Sequence, residues 1–203
     1  MNTTHRLLVL AVALAAAFVT VGRAAVSIGA PAPDFSATDL QGKTHRLSDY
    51  KGRTVVLEWV NPECPFVVKH YGSGNLPKLQ AAATADGVVW LTINSARRGG
   101  QGDYEANAAQ AWLGKQGAAQ TAYLRDQDGK VGRLYGAKTT PHMYVIDPAG
   151  TLVYNGAIDS IRSADVGDLA KAENYVANAL AAVKAGRPVA KATSQPYGCG
   201  IKY

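Results

Sequence analysis

Residues 54–60 put Val55, Val56, Leu57, Trp59 and Val60 in one short run interrupted only by Glu58. A strand that apolar on both faces has to lie inside a sheet covered on each side by helices, which demands a crossover connection to its neighbour. The run then breaks at Asn61-Pro62-Glu63-Cys64-Pro65-Phe66-Val67, and a helical pattern runs from there to about residue 85. This spacing predicts strand, short turn and helix, with Cys64 at the first turn, where free N–H groups and the positive end of the helix dipole favour a thiolate. Pro65 suits that turn because proline forfeits no hydrogen bond there. A partly exposed, low-pKa thiol is the expectation, and a buried structural cysteine is the alternative.

The other elements are read around that unit. Residues 28–50 carry Gly29, Pro31, Pro33 and Gly42 between short apolar-polar stretches at 34–38 and 44–47, which predicts a β-hairpin. Residues 88–94 repeat the buried-strand character. A glycine-rich loop at 95–103 leads to a helix over 105–115, a short strand at 121–124, a turn at 126–129 and a short helix to Tyr135. Strands at 143–146 and 151–154 flank the turn Asp147-Pro148-Ala149-Gly150. Asp165 is the expected cap of a closing helix whose Val166, Leu169, Val176, Leu180 and Val183 share one face, stopped by Gly186 and Pro188. Residues 190–203 have no periodicity.

The N-terminus is a separate matter. His5 and Arg6 precede the apolar run 7–21, and Gly22-Arg23-Ala24 offers small residues for cleavage, so residues 1–24 read as a secretory signal peptide. An uncleaved membrane anchor is the alternative, at the short end of what spans a bilayer. That leaves a domain at 25–189, a tail at 190–203 and a chain exported to the periplasm or the exterior. Removing Arg6 and Arg23 takes the formal charge from +6 to +4, and the remaining basic residues form no stripe with aromatics, so nucleic acid is not an expected partner. With 47% hydrophobic residues the chain has enough apolar surface for a sizeable core. Cys64 and Cys199 are its two cysteines, and an oxidising compartment permits them to pair.

Strand, crossover helix, strand, hairpin and closing helix is the thioredoxin order. Gly29-Ala30-Pro31-Ala32-Pro33-Asp34-Phe35, Leu47-Ser48-Asp49-Tyr50-Lys51-Gly52 and the strand into Cys64 resemble the redoxin group, which includes the alkyl hydroperoxide reductase/thiol-specific antioxidant (peroxiredoxin) branch. Cys64-Pro65-Phe66-Val67 and Gly198-Cys199-Gly200-Ile201-Lys202-Tyr203 resemble a peroxiredoxin-like subgroup. The resemblance implies an α/β thioredoxin fold, a central mixed β-sheet flanked by helices with an N-terminal β-hairpin extension. It also implies a thiol-dependent oxidoreductase without a cofactor, acting on a protein or small-molecule disulfide or on a hydroperoxide and recharged by an external thiol.

On the same resemblance Cys64 is the nucleophile. Val67 stands where Cys-x-x-Cys would place its second thiol, so Cys199 or an outside thiol must resolve the intermediate. Leu57 and Asn61 stand where the peroxidase motif has proline and threonine, which favours disulfide over peroxide chemistry. Thr140-Pro141 matches the cis-proline element that faces the nucleophile and offers its backbone to a bound polypeptide. Glu58 matches the buried acid behind the active cysteine, able to exchange protons with it; the alternative is a carboxylate paired with a lysine. Asn61 is either a donor near Cys64 or a turn residue. A rival reading is a noncatalytic binding module using the Thr140-Pro141 groove, or a metal carrier holding its ion with Cys64, His142 and Cys199. His70 is expected to be structural.

Overall fold

The computed structural model describes residues 26–203, so the expected leader at 1–24 lies outside the described residues. Among the described residues no helix is long and apolar enough to cross a membrane. The organising strand β3 (Val55–Trp59) is buried along its whole length. It pairs in parallel with β4 (Val89–Asn94) on one side and antiparallel with β7 (His142–Ile146) on the other. The strands β5 (Ala122–Arg125) and β8 (Leu152–Gly156) complete a five-stranded mixed sheet in the order β5-β4-β3-β7-β8. The hairpin β1 (Ser36–Thr38) and β2 (Thr44–Arg46) stands beside it as the sequence predicts.

Alternation along β3 builds two cores. Val55, Leu57 and Trp59 face a layer with Phe35, Leu91, Tyr135 and Tyr144. Val56 and Val60 face the opposite layer, which holds Cys64, Val67, Leu76, Trp90 and Val176. The first layer is covered by α4 (Lys130–Tyr135) and the hairpin, the second by α1 (Pro65–Gly72), α2 (Asn75–Ala85), α3 (Ala106–Gln116) and α5 (Tyr175–Lys184). The doubly covered strand read from the sequence is therefore present, and so is the thioredoxin order of elements.

Two helix boundaries differ from expectation. The helix predicted from Cys64 to residue 85 is two helices, α1 and α2, parted at Ser73-Gly74, where Gly74 takes the left-handed conformation at φ +75°. Gly72 and Gly74 favour a break, and Pro77 would drive its ring into the carbonyl of residue 73 in a continuous helix. The closing helix begins at the Asn174 cap instead of Asp165, which caps only a short 3-10 turn, Val166–Asp168. Val166 accordingly lies 52% exposed rather than on the core face.

The aperiodic tail is ordered without being helical. It runs beside β8, where Asn155 N–H donates to Ala192 and Ser194 N–H donates to Asn155. Its last segment forms β9 (Cys199–Gly200), antiparallel to β6 (Thr139–Thr140), with Thr140 opposite Cys199.

Asn174 Oδ1 accepts from Ala177 N–H at 2.9 Å and is the cap that starts α5. Asn174→Ala is expected to cost about 1 kcal/mol in urea unfolding, and Asp165→Ala markedly less, because Asp165 starts no α-helix. Equal losses would return the helix start to Asp165.

Candidate active site

Cys64 is the N-cap residue of α1, with extended backbone angles and Pro65 as the first helical residue. The strand-to-helix turn that delivers it is held by Asn61, whose Oδ1 accepts from Glu63 N–H at 2.9 Å while its Nδ2 donates to Gln101 at 3.2 Å. Asn61 is thus the turn residue of the two readings; its amide is spent on the backbone. Leu57 is in the opposite core layer.

The thiol itself is 1% exposed, against the expectation of partial exposure. The reason is the tail, whose strand β9 lies over it. Cys64 Sγ donates to the Thr140 carbonyl at 3.0 Å and receives the Cys199 N–H at 3.4 Å. The Thr140-Pro141 peptide bond is cis, as the motif implies. Both cysteines are free. Tertiary structure therefore brings together Cys64, Thr140, Pro141 and Cys199, residues as far as 135 positions apart in the chain.

The two thiols are electrostatically unlike. Burial works against ionising Cys64, but hydrogen bonding with the side chains of Cys199 and Thr140 and from the N–H groups of Val67 and Cys199 outweighs it, and the pKa falls below the usual thiol range. Cys199 is pushed up to about 12 by burial and by its hydrogen bond to, and repulsion from, the Cys64 sulfur, with Lys202 relieving only a part. One shared charge belongs to Cys64. The arrangement can present a thiolate nucleophile beside a protonated second thiol.

Glu58 sits fully buried on the same side of the sheet, and among the described residues no lysine pairs with it. Tyr71 Oη donates to its Oε1 at 2.8 Å; Trp90 Nε1, Gln80 Nε2 and Thr92 Oγ1 donate to its Oε2 at 2.7, 3.0 and 3.3 Å. Burial raises its pKa despite all four donors. None of these four hydrogen bonds goes to either sulfur.

His142 is turned away from the cysteines. Its Nδ1 accepts from Lys138 N–H at 3.2 Å and its Nε2 pairs with Asn155 Oδ1 at 2.8 Å, so neither nitrogen is free for an ion. Among the described residues no group of three His, Cys, Asp or Glu side chains is placed to hold a metal. The metal site of Cys64, His142 and Cys199 is not assembled. His70 is fully buried, with Nδ1 held by Asn75 at 2.8 Å. Burial keeps both imidazoles neutral, with pKa values of about 4.

Sequence reasoning missed the polar cluster around Asp159. Its Oδ1 accepts from the Tyr197 hydroxyl, and its Oδ2 lies 3.9 Å from Lys69 Nζ and 3.7 Å from His70 Nε2. Asp159 lies just past the end of β8 and Tyr197 in the aperiodic tail, so no local pattern marks their meeting.

Alkylation of Cys64 should show a pH midpoint below the ~8.5 of a free thiol, at an absolute rate held down by the covering strand. Cys199 should label only at far higher pH. Mass-resolved iodoacetamide kinetics measure both, and a Cys64 midpoint at or above the free-thiol value would refute the charge assignment. Glu58→Ala strands four buried donors and is expected to cost about 3 kcal/mol or more in denaturant unfolding. Glu58→Gln, which keeps one acceptor oxygen, should cost less; equal losses would mean that the donors do not depend on the carboxyl oxygens.

Comparison with known proteins places this geometry. The AhpC/TSA family model matches residues 28–155. The thiol-disulfide oxidoreductase ResA of Geobacillus thermodenitrificans (strain NG80-2) is 30% identical over 128 residues, covering 55% of this chain and 71% of its own length. The protein of the same name from Geobacillus kaustophilus (strain HTA426) is 45% identical over 56 residues, which cover 24% of this chain and 32% of that one. An uncharacterised conserved protein of Geobacillus kaustophilus superposes with a TM-score of 0.74 at 27% identity, over 89% of this chain and 94% of that one. A putative thiol:disulfide interchange protein DsbE from Chlorobium tepidum gives 0.56 at 25% identity, over 77% and 99%. With the family model spanning more than half of its residues, a thioredoxin-like sheet and a cysteine at the strand-to-helix turn, the chain belongs to the AhpC/TSA family.

Proposed function

We propose that the protein is a thiol-disulfide oxidoreductase in which Cys64 is the nucleophile and Cys199 the resolving thiol. The observation that carries this reading is the Cys199 N–H aimed at the Cys64 sulfur, with one thiol made acidic and the other held protonated. The relatives named thiol-disulfide oxidoreductase support the same chemistry.

In the first step the Cys64 thiolate attacks one sulfur of a substrate disulfide. An S–S bond forms between Cys64 and that half of the substrate, and the other half leaves as a thiolate. Cys199 then gives up its proton, which the departed thiolate accepts, and attacks the Cys64 sulfur. A Cys64–Cys199 bond replaces the mixed disulfide, and the second half of the substrate leaves as a thiolate that takes a proton from water. Two electrons have passed from the cysteine pair to the substrate, and an external dithiol restores the pair by the reverse exchange. Because a thiolate loses nucleophilicity as its pKa falls, the lowered Cys64 value favours departure from the mixed disulfide as much as attack.

Glu58 acts as a positioning residue, with proton exchange its further role. Its bond to Tyr71 ties the helix headed by Cys64 to the central strand. Disulfide rather than peroxide is the assigned substrate, because the contacts of the Cys64 sulfur are a carbonyl, N–H groups and a thiol, and the proline and threonine positions of the peroxidase motif are Leu57 and Asn61. We place the reaction outside the cytosol, on the leader at 1–24 and the retained cysteine pair.

The test compares three forms of the chain against a disulfide peptide and hydrogen peroxide. Wild type is expected to reduce the peptide and accumulate a Cys64–Cys199 bond in non-reducing peptide maps. Cys199→Ser should stop at a mixed disulfide on Cys64, and Cys64→Ser should be inert. Oxidation of Cys64 by peroxide orders of magnitude faster than that of a free thiol would overturn the substrate assignment.

A further inference from the structure

What covers Cys64 decides what reaches it. Residues 197–203 cross the sulfur as an extended strap whose middle is β9, bonded to Thr139–Thr140. Beyond β9, Ile201 N–H donates to Lys138 at 3.1 Å and the Lys202 carbonyl accepts from Arg97 N–H at 2.8 Å.

A tyrosine holds each end. Tyr197 is 3% exposed, packs edge-on against Phe66 at 5.7 Å between centroids and donates its hydroxyl to Asp159 Oδ1. Among the described residues Asp159 Oδ2 is buried without a hydrogen-bond partner, although Lys69 and His70 lie near it. Tyr203 donates to the Ala137 carbonyl at 2.8 Å beneath the Arg133 guanidinium, 4.7 Å from its ring centroid. It fits because Gly129 and Gly132 have no side chain: a Cβ there would come within 2.6 and 2.5 Å of the tyrosine.

The strap is also sequence-restricted at one point. Gly198 has φ +137°, and a Cβ on it would lie 2.0 Å from the Thr140 carbonyl oxygen. No side chain is compatible with that approach, so a strand lying in this register must carry glycine immediately before its cysteine.

We propose that residues 197–203 are a resident stand-in for the substrate: the groove between Thr139–Thr140 and the start of α1 docks an extended polypeptide strand carrying cysteine directly after glycine, and an external disulfide of this kind enters by displacing the strap. The docking is strand addition to an edge, with backbone pairing for affinity and the Thr140 carbonyl as a steric filter on the residue before cysteine. This deepens the assignment of Cys64 as nucleophile and rests on it. The strap has two consequences that a plain resolving cysteine does not. It makes access to Cys64 depend on anchors remote from the sulfur, and it imposes a sequence preference on the substrate.

The experiment uses the full chain carrying Cys199→Ser, so that Cys64 is the one thiol, with and without Tyr197→Phe, which removes only the anchoring hydroxyl. Three peptides, identical except for Gly, Ala or Val before a cysteine blocked as a thionitrobenzoate disulfide, are timed against 5,5′-dithiobis(2-nitrobenzoate) as a small disulfide with no strand to dock. The glycine peptide is expected to react roughly tenfold or more faster than the valine peptide, a difference of about 1.4 kcal/mol in barrier. Tyr197→Phe should raise all three peptide rates several-fold while leaving their ratio unchanged, and should speed amide exchange at Thr140 and Cys199→Ser without lowering protection in β3. Gly198→Ala, which dislodges the strap through the Thr140 carbonyl just before β9, should act in the same direction and checks the result independently of the Tyr197 hydroxyl. Equal rates for the Gly and Val peptides, or strap variants that exchange faster yet react no faster, would overturn the proposal. Peptide rates that fall as protein concentration rises would also overturn it, by making a second copy's tail the occupant. A Cys64 inert to the small disulfide even in both strap variants would instead remove the nucleophile assignment beneath it.

Discussion

The pairing of β3 with β4 on one side and β7 on the other is the constraint on which the site depends. Val55, Val56, Leu57, Glu58 and Trp59 are each no more than 2% exposed, and their backbone groups are used by neighbours on both edges. A strand in that position cannot slide by one residue without exchanging its two side-chain sets between core layers. Its end is therefore fixed in space, and so is Cys64 five residues beyond Trp59. The antiparallel neighbour β7 fixes the other half of the site, because Pro141 immediately precedes it and His142 stands opposite Trp59. One strand thus sets the distance between Cys64 and the cis-proline element.

Buried polar groups in the same layer serve that placement in different ways. Glu58 collects four donors from one neighbouring strand and two helices, which joins α1 and α2 to the sheet through one carboxyl group. The cost of burying the acid is offset by those bonds, and a raised pKa is the residue of the balance. Asp159 does for the tail what Glu58 does for the helices. It links α1, through Lys69 and His70, to Tyr197, so the helix that presents Cys64 also holds the strand that covers it.

The pair of cysteines shows why proximity alone does not define a redox site. Cys64 gains N–H groups from a helix start and from a neighbouring strand, all of which favour the charged form. Cys199 meets burial and a negative neighbour, which Lys202 relieves only in part. The roles proposed for them in exchange rest on this difference in surroundings, since the thiol chemistry is the same.

The sequence by itself determined the elements that a local residue pattern marks: the doubly covered strand at β3, the crossover to β4, the two hairpins and the cysteine at a helix start. Each is local, so composition and spacing over a few residues suffice to specify it. The break at Gly74 was legible in Pro77 and in the glycines, but the apolar pattern running through it masked the signal. Tertiary structure alone decided that the tail returns across the molecule to pair with Thr139–Thr140, that Gly198 must lack a side chain because the Thr140 carbonyl approaches it, and that Cys64 is covered. It likewise decided that His142 faces Asn155 instead of the cysteines and that Tyr197 meets Asp159. Those outcomes rest on contacts between residues up to 135 positions apart, closed by backbone pairing and single hydrogen bonds that leave no repeat or periodicity in the chain to read.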